Sequence, residues 1–70
     1  MSERLVVSPG VGVFTPSVNG DSEVEVGSLL GNVGEQEVRS PFAGALQGML
    51  AVDGERVQFG QPIAWLRTAS

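Results

Sequence analysis

Histidine and cysteine are both absent from the 70-residue sequence, and its four basic side chains are all arginine, so lysine is absent too. Without cysteine and histidine, disulfides, thiolate chemistry and imidazole-based metal binding or acid–base catalysis are excluded. No apolar run approaches the roughly 18 residues of a membrane span. Residues 1–4 also lack the basic start and apolar core of a signal peptide. We therefore expect a cytoplasmic protein in which no cysteine or histidine forms a catalytic or metal site.

Basic charge is scarce as well. The net charge is −4, and the four arginines are not clustered. Proteins that bind nucleic acid neutralise phosphates with lysine and arginine, and an anionic membrane surface makes the same demand. We therefore expect neither nucleic acid nor a membrane as a partner.

Glycine and proline are present in quantity. Ten glycines and four prolines are spread along the whole chain and separate short apolar stretches. This punctuation is typical of a small all-β domain, and Asn19-Gly20-Asp21 and Asp53-Gly54-Glu55 are strong turn signals. The pattern predicts one domain, residues 1–70, with strands near 4–8, 11–15, 23–26, 28–33, 36–40, 44–52, 56–59 and 62–66.

The run 44–52 has a helical alternative. Leu46, Met49 and Leu50 have the i, i+3, i+4 spacing of an amphipathic helix. Gly48 lies in the middle of the run, where it would cost a helix about 1 kcal/mol. No capping residue precedes the run. A strand is therefore the favoured prediction.

The second half of the sequence repeats the first. Val6, Ser8, Pro9 and Gly12 match Val38, Ser40, Pro41 and Gly44 at a spacing of 32 residues. Val24, Gly27, Leu30 and Val33 match Val57, Gly60, Ile63 and Leu66 at a spacing of 33. Two four-strand units, each unable to bury its apolar face alone, would pair into one core. We predict half-repeats of about 4–34 and 36–67 in a flattened eight-stranded barrel with pseudo-twofold symmetry.

These residues resemble the biotinyl and lipoyl carrier domains, and most closely the biotin carboxyl carrier proteins. The second half carries the resemblance in the segments 40–44 and 53–63, and the first half in 8–12 and 23–27. The resemblance covers nearly the whole chain. It implies a barrel-sandwich hybrid fold and, at the tip of the hairpin that joins the halves, a modified lysine usually flanked by methionines.

The corresponding hairpin of this sequence lacks that lysine. It reads Val33-Gly34-Glu35-Gln36-Glu37-Val38, with neither lysine nor methionine, and is about four residues shorter than the family pattern. Gly34-Glu35 suits a two-residue turn with glycine at the first central position. Biotin and lipoate are held through a lysine amine, and an arginine guanidinium stays protonated and is a poor nucleophile. At the expected attachment point, Gly34, Glu35 and Gln36, the sequence therefore predicts no modification.

Two further sets of residues are candidates for function. Glu35 and Glu37 point the same way on a hairpin, which favours a solvated turn over a cation site or an acid–base pair. Four apolar residues are candidates for a docking surface, since they lie in turns or in the last strand: Phe42, Val52, Phe59 and Trp65. For Trp65, a partly buried position is the favoured alternative to a partner-binding anchor.

We predict a carrier-like domain without a cofactor that binds a protein partner, as a scaffold subunit of a larger enzyme such as an acyl-CoA carboxylase or a biosynthetic assembly. An enzyme or small-molecule binder acting at the hairpin is the alternative, although so small a core is not expected to enclose a pocket of a few hundred Å³. A third hypothesis is a relative of the lipoyl-like modules of transport adaptors. Because a domain of this size is marginally stable, self-association into a homo-oligomer also stays open.

Overall fold

The computed structural model describes residues 2–18 and 22–68, and the described residues form eight β-strands. In chain order they are β1 (Ser2–Val7), β2 (Gly12–Pro16), β3 (Glu23–Val24), β4 (Leu29–Val33), β5 (Gln36–Arg39), β6 (Gly44–Met49), β7 (Arg56–Val57) and β8 (Pro62–Thr68). Each overlaps a stretch predicted as a strand. Residues 44–49 of the run 44–52 form β6 and the described residues include no helix, so the helical alternative is excluded. The predicted turn at 19–21 lies outside the described residues.

The strands form two antiparallel four-stranded sheets. One has the order β1-β8-β6-β3 and the other β5-β4-β2-β7. Exchanging β1 with β5, β2 with β6, β3 with β7 and β4 with β8 converts the first order into the second. The all-β, eight-stranded barrel-sandwich hybrid predicted from the sequence is therefore the fold, and its two sheets have equivalent topologies.

The core lies between the two sheets. Val6 and Phe14 are buried there, as are their counterparts 32 residues later, Val38 and Leu46. The other buried apolar residues include three pairs spaced by 33: Val24 with Val57, Leu30 with Ile63 and Val33 with Leu66. The spacings of the core residues are thus the spacings of the sequence repeat.

Two very short strands end at tight turns with glycine in the left-handed region. After β3, the Ser28 N–H donates to the Glu25 carbonyl oxygen at 3.0 Å, and Gly27 has a φ of 91°. After β7, the Gln61 N–H donates to the Gln58 carbonyl oxygen at 3.1 Å, and Gly60 has a φ of 80°. Since a side chain disfavours this backbone conformation, glycine is the residue that these turns require.

A β-bulge determines which residues of β8 are buried. Val6 of β1 pairs with Ala64, but the next residue of β1 pairs with Pro62, so Ile63 is an extra residue on β8. Both Ile63 and Ala64 are consequently buried, and Trp65 is placed on the outer face of the sheet. The sequence predicted a bend here from the three-residue spacing of Ile63 and Leu66.

The described residues include no helix, and therefore none of the length and apolarity required to cross a bilayer.

Candidate functional site

The hairpin that joins β4 and β5 closes in two residues. Val33 pairs with Gln36, which leaves Gly34 and Glu35 as the loop. Gly34 has a φ of 58°, as the first central position of a primed two-residue turn requires. The loop has the length and the glycine position predicted from the sequence.

The hairpin is held against β2 and the turn before it. The N–H of Gly34 donates to the carbonyl oxygen of Val13 at 3.0 Å. A Cβ at Gly12 would lie 3.1 Å from the Gly34 nitrogen, and one at Gly10 would collide with the Gln36 side chain. The absence of a side chain at Gly12 therefore lets the hairpin pack closely against β2, whereas the Gln36 side chain is exposed and could move away from a side chain at position 10.

The charges of the hairpin are solvated or paired. Glu35 is exposed at the turn, and Glu37 forms an ion pair of 3.0 Å with Arg39. Arg39 also donates to the Gly27 carbonyl oxygen at 2.7 Å. Within residues 2–18 and 22–68, acidic side chains form no cluster of three or more that could hold a metal ion. The hairpin therefore contains no lysine to which a carrier group could be attached. Its acidic side chains also belong to no cluster of three or more that could bind a cation among the described residues.

Trp65, one of the four predicted docking residues, lies half-buried on the outer face of the β1-β8-β6-β3 sheet. It pairs with Leu5 of β1 on one side and with Gly48 of β6 on the other. Together with Leu50 and Glu3, Arg4 and Leu5 of β1, it lines an open cleft of about 360 Å³, which we name the Trp65 cleft. Trp65 is thus a surface residue in an apolar depression and does not belong to the core.

Phe42 lines a different depression. It is half-buried and packs against the core, and the guanidinium carbon of Arg4 lies 5.8 Å from the centre of its ring, within the range of a cation–π contact. Arg4 also contributes to the edge of the Trp65 cleft. It pairs with the buried Leu66, however, so its side chain extends to the opposite face of the sheet from Leu5 and Trp65.

Val52 and Phe59 occupy exposed turns. Phe59 is 75% exposed in the turn closed by Gln58 and Gln61, and Val52 is 66% exposed where the Asp53-Gly54 turn begins. Neither residue lines the Trp65 cleft or the depression around Phe42. Of the four predicted docking residues, Phe42 and Trp65 are therefore half-buried, and Val52 and Phe59 are exposed.

Sequence reasoning missed four residues of the Trp65 cleft: Glu3, Arg4, Leu5 and Leu50. Leu5 is part of the continuous apolar run Leu5-Val6-Val7, in which alternation alone cannot show which side chain faces outward. Leu50 follows the end of β6. The sequence offers no usable signal for them, because the outward-facing side chains follow from the register between β1 and β8 at the two ends of the chain.

The sequence matches no protein family and no curated protein. Among solved structures, it is similar to a single-chain, multi-domain long-chain acyl-CoA carboxylase, with a TM-score of 0.83 and 15% sequence identity. The similarity covers 97% of this chain and 7% of the carboxylase chain. At this identity the comparison shows the fold alone, which is a barrel-sandwich hybrid.

Proposed function

We propose that this domain is a carrier-like domain that carries no cofactor and acts as a protein-binding scaffold subunit of a larger, carboxylase-type enzyme. The observation that carries the proposal is the hairpin at Gly34 and Glu35. The carrier domains that this sequence resembles have their modified lysine at this position. Here the hairpin contains no lysine, and it closes with a loop of two residues.

The chemistry of attachment supports the absence of a cofactor. Biotin and lipoate are joined to carriers through an amide on a lysine amine, and the bases of this sequence are all arginine. The arginine nearest to the hairpin, Arg39, is engaged by Glu37 and by the Gly27 carbonyl oxygen. Its guanidinium stays protonated and does not replace a neutral amine as a nucleophile. The residues present do not fit a biotinyl or lipoyl group.

Similarity to a multi-domain enzyme supports the proposed setting. The similar region is 7% of a single-chain, multi-domain long-chain acyl-CoA carboxylase, so the fold serves there as a small part of an assembly. We infer a corresponding setting for this chain, with a carboxylase-type or biosynthetic enzyme as the partner and the cytoplasm as the location. Phe42, Val52, Phe59 and Trp65 stay the proposed docking residues.

A second candidate function is the binding of a small molecule beside the hairpin. A depression of about 310 Å³ lies there, lined by Val7, Pro9 and residues 37–39. It is an open surface groove and not an enclosed pocket. The two charged side chains that line it, Glu37 and Arg39, form an ion pair with each other. Titration of candidate acyl substrates, followed by NMR shifts of residues 31–39, tests this candidate; unchanged shifts contradict it.

The proposal is tested in two arms. In the first, the protein is purified from its own cells and from cells that overproduce a biotin or lipoate ligase, alongside a carrier domain known to be modified. Intact-mass measurement should show no added group on this protein and a full modification of the control. A covalent biotinyl or lipoyl group would contradict the cofactor-free function.

In the second arm, the tagged protein is used for affinity capture from its own cells, and the captured proteins are identified by mass spectrometry. Subunits of a carboxylase-type or biosynthetic enzyme are expected. A monodisperse monomer that captures no partner would contradict the scaffold role, whatever the outcome of the first arm.

A further inference from the structure

The two sheets have four edge strands among the described residues, and three of these edges are very short or charged. β3 and β7 have two residues each, and the four-residue β5 carries the exposed ion pair between Glu37 and Arg39. Short strands and charged side chains are common means by which a sheet edge is kept from pairing with another chain. The fourth edge strand, β1, has six residues and is the longest of the four.

The free edge of β1 is open and partly apolar. β1 pairs with β8 on one side and with no described strand on the other, so its backbone N–H and C=O groups that point away from β8 have no strand partner. Leu5 and Val7 are 52% and 47% exposed. The charge of Glu3 is paired with Arg67 of β8, within the same sheet. β1 therefore offers a further strand both hydrogen-bonding groups and apolar side chains.

The outward row of residues that ends at Leu5 has an equivalent in the other sheet. Read from β6 through β8 to β1, the row is Gly48, Trp65 and Leu5. Read through the equivalent strands β2, β4 and β5, it is Thr15, Asn32 and Glu37. The two rows are separated by the 32- and 33-residue spacings of the repeat. Because the second row is polar in the same topology, the folding of a single chain does not require the apolar side chains of the first.

A second copy of β1 matches this edge by symmetry. In an antiparallel pair about a twofold axis, opposite residues point to the same face of the sheet, so the axis lies beside one residue and its own copy. Centred on Leu5, the pairing includes residues 3–7 and joins the two outward rows into one, with both Leu5 side chains between both Trp65 side chains. Centred on Arg4, it would place two guanidinium groups opposite each other, which is unfavourable. A centre nearer either end of β1 pairs fewer residues.

We propose that this domain forms a homodimer in which the β1 strands of two copies pair antiparallel about Leu5, so that two four-stranded sheets become one sheet of eight strands. Each copy supplies the strand that the other's edge lacks and covers its Leu5. At 70 residues the chain is near the lower size limit for a single core, where association adds stability. The inference goes beyond the proposed function, since only one of the four proposed docking residues, Trp65, lies in the joined row.

The first test is disulfide crosslinking. The chain contains no cysteine, so a single introduced cysteine can form a disulfide only with a second copy. Opposite residues of an antiparallel pair have Cα atoms about 4.5 or 5.5 Å apart, which is within the range of a disulfide. In a glutathione redox buffer, Leu5→Cys should therefore be converted largely to a covalent dimer, and Arg4→Cys should crosslink less. Non-reducing electrophoresis measures both.

Val13→Cys is the matched control for crosslinking. Val13 is 47% exposed, close to the exposure of Leu5, but it lies in β2, which has a strand on each side. No free strand edge is present there for a second copy to pair with. Val13→Cys should therefore stay mainly monomeric under the conditions that crosslink Leu5→Cys.

The second test is sedimentation velocity of the unmodified protein over a series of concentrations. We expect a dimer whose fraction rises with concentration. Leu5→Glu places two carboxylates opposite each other at the twofold axis and should weaken dimer formation about tenfold or more. Val13→Glu should dimerise as the parent does. Circular dichroism checks that each variant is folded before it is compared.

Three outcomes would overturn the inference. They are sedimentation as a monomer at every concentration, a dimer that Leu5→Glu leaves intact, and equal crosslinking of Leu5→Cys and Val13→Cys. If a strand of a partner protein occupies the edge instead, the domain sediments as a monomer and Leu5→Glu removes that partner from the proteins captured from cells. Failure of the dimer leaves the proposed function standing, because affinity capture tests that function separately.

Discussion

Ser8 and Ser40 make the same two hydrogen bonds in equivalent turns. Ser8 Oγ donates to the Gly10 carbonyl oxygen at 2.6 Å and accepts from the Gly10 N–H at 3.3 Å. Ser40 Oγ donates to the Phe42 carbonyl oxygen at 2.6 Å and accepts from the Phe42 N–H at 3.1 Å. Both serines are 1% exposed, so each hydroxyl satisfies polar groups in a place that water hardly reaches.

Replacing either serine by alanine should therefore destabilise the domain. Ser8→Ala and Ser40→Ala leave a partly buried N–H and C=O without their partner, which costs about 1–3 kcal/mol each. The two losses should be similar, because the bonds are equivalent. Urea unfolding followed by Trp65 emission measures them.

The exposed Ser17, whose side chain has no hydrogen bond within residues 2–18 and 22–68, is the control. Ser17→Ala should stay within about 0.5 kcal/mol of the parent. A loss in Ser17→Ala as large as in Ser40→Ala would contradict the role given to the buried hydroxyls.

Gly31 is predicted to be the glycine most damaged by a side chain for steric reasons. It lies between Pro16 of β2 and Val38 of β5, and an added Cβ would collide with the Thr15 carbonyl oxygen and lie 2.8 Å from the Phe14 ring. Because backbone and a buried ring cannot move aside cheaply, Gly31→Ala should cost about 1–3 kcal/mol. Thermal unfolding should show a clear fall in Tm.

Gly48→Ala is the comparison for Gly31→Ala. The group nearest to an added Cβ at Gly48 is the Trp65 indole, a side chain on the surface. We expect a smaller loss of stability and a red shift of the emission, because the displaced indole becomes more exposed to water. An unchanged emission spectrum would show that the indole does not lie over Gly48.

At Gly34 the cost of a side chain should be conformational. Nothing lies within 4 Å of a Cβ built there, but the φ of 58° is left-handed. Gly34→Ala should lose about 1–2 kcal/mol, the cost of this conformation for a residue with a side chain. Gly34→Asn should lose less, since asparagine tolerates the left-handed region. Equal losses in the two variants would point to a steric cause instead.

Restoring a lysine should not by itself restore a carrier. Glu35→Lys places an amine in a two-residue loop whose Gly34 N–H is bonded to the Val13 carbonyl oxygen. We expect this variant to stay unmodified when it is produced with a biotin ligase. A variant lengthened by about four residues, with a central lysine flanked by methionines, should be biotinylated, since an even insertion keeps both strands in register. Avidin blotting and intact mass distinguish the two.

Biotinylation of Glu35→Lys would show that the short hairpin is already presented as a ligase substrate. The cofactor-free state would then depend on the side chain at position 35 alone, and the length of the loop would have no part in it.

The sequence predicted the strands and the hairpin well because glycine and proline positions mark the turns and the two halves repeat. Val24 and Val57 illustrate this, since both are buried at equivalent places just before a glycine turn. Strand ends were predicted less well. The predicted strands at 23–26 and 56–59 run two residues past β3 and β7, because alternation continues into the turns at Val26 and Phe59.

The candidate docking surface could not be predicted to the same degree. Which face Trp65 occupies depends on the bulge at Ile63, and a bulge is a property of pairing between distant strands. The position of Leu5 beside Trp65 depends on the same register across the two ends of the chain. Val52 and Phe59, which were predicted as docking residues because they lie in turns, consequently lie outside the Trp65 cleft.

The strand order has a consequence for how the domain can assemble. Four of the six strand pairings among the described residues join a strand of β1–β4 to one of β5–β8, so each half of the chain is interleaved with the other. Neither half retains a complete sheet alone, and most of the core forms only when both are present. Cleavage between Gly34 and Glu35 would therefore yield two fragments that are each unfolded and that regain the fold on mixing.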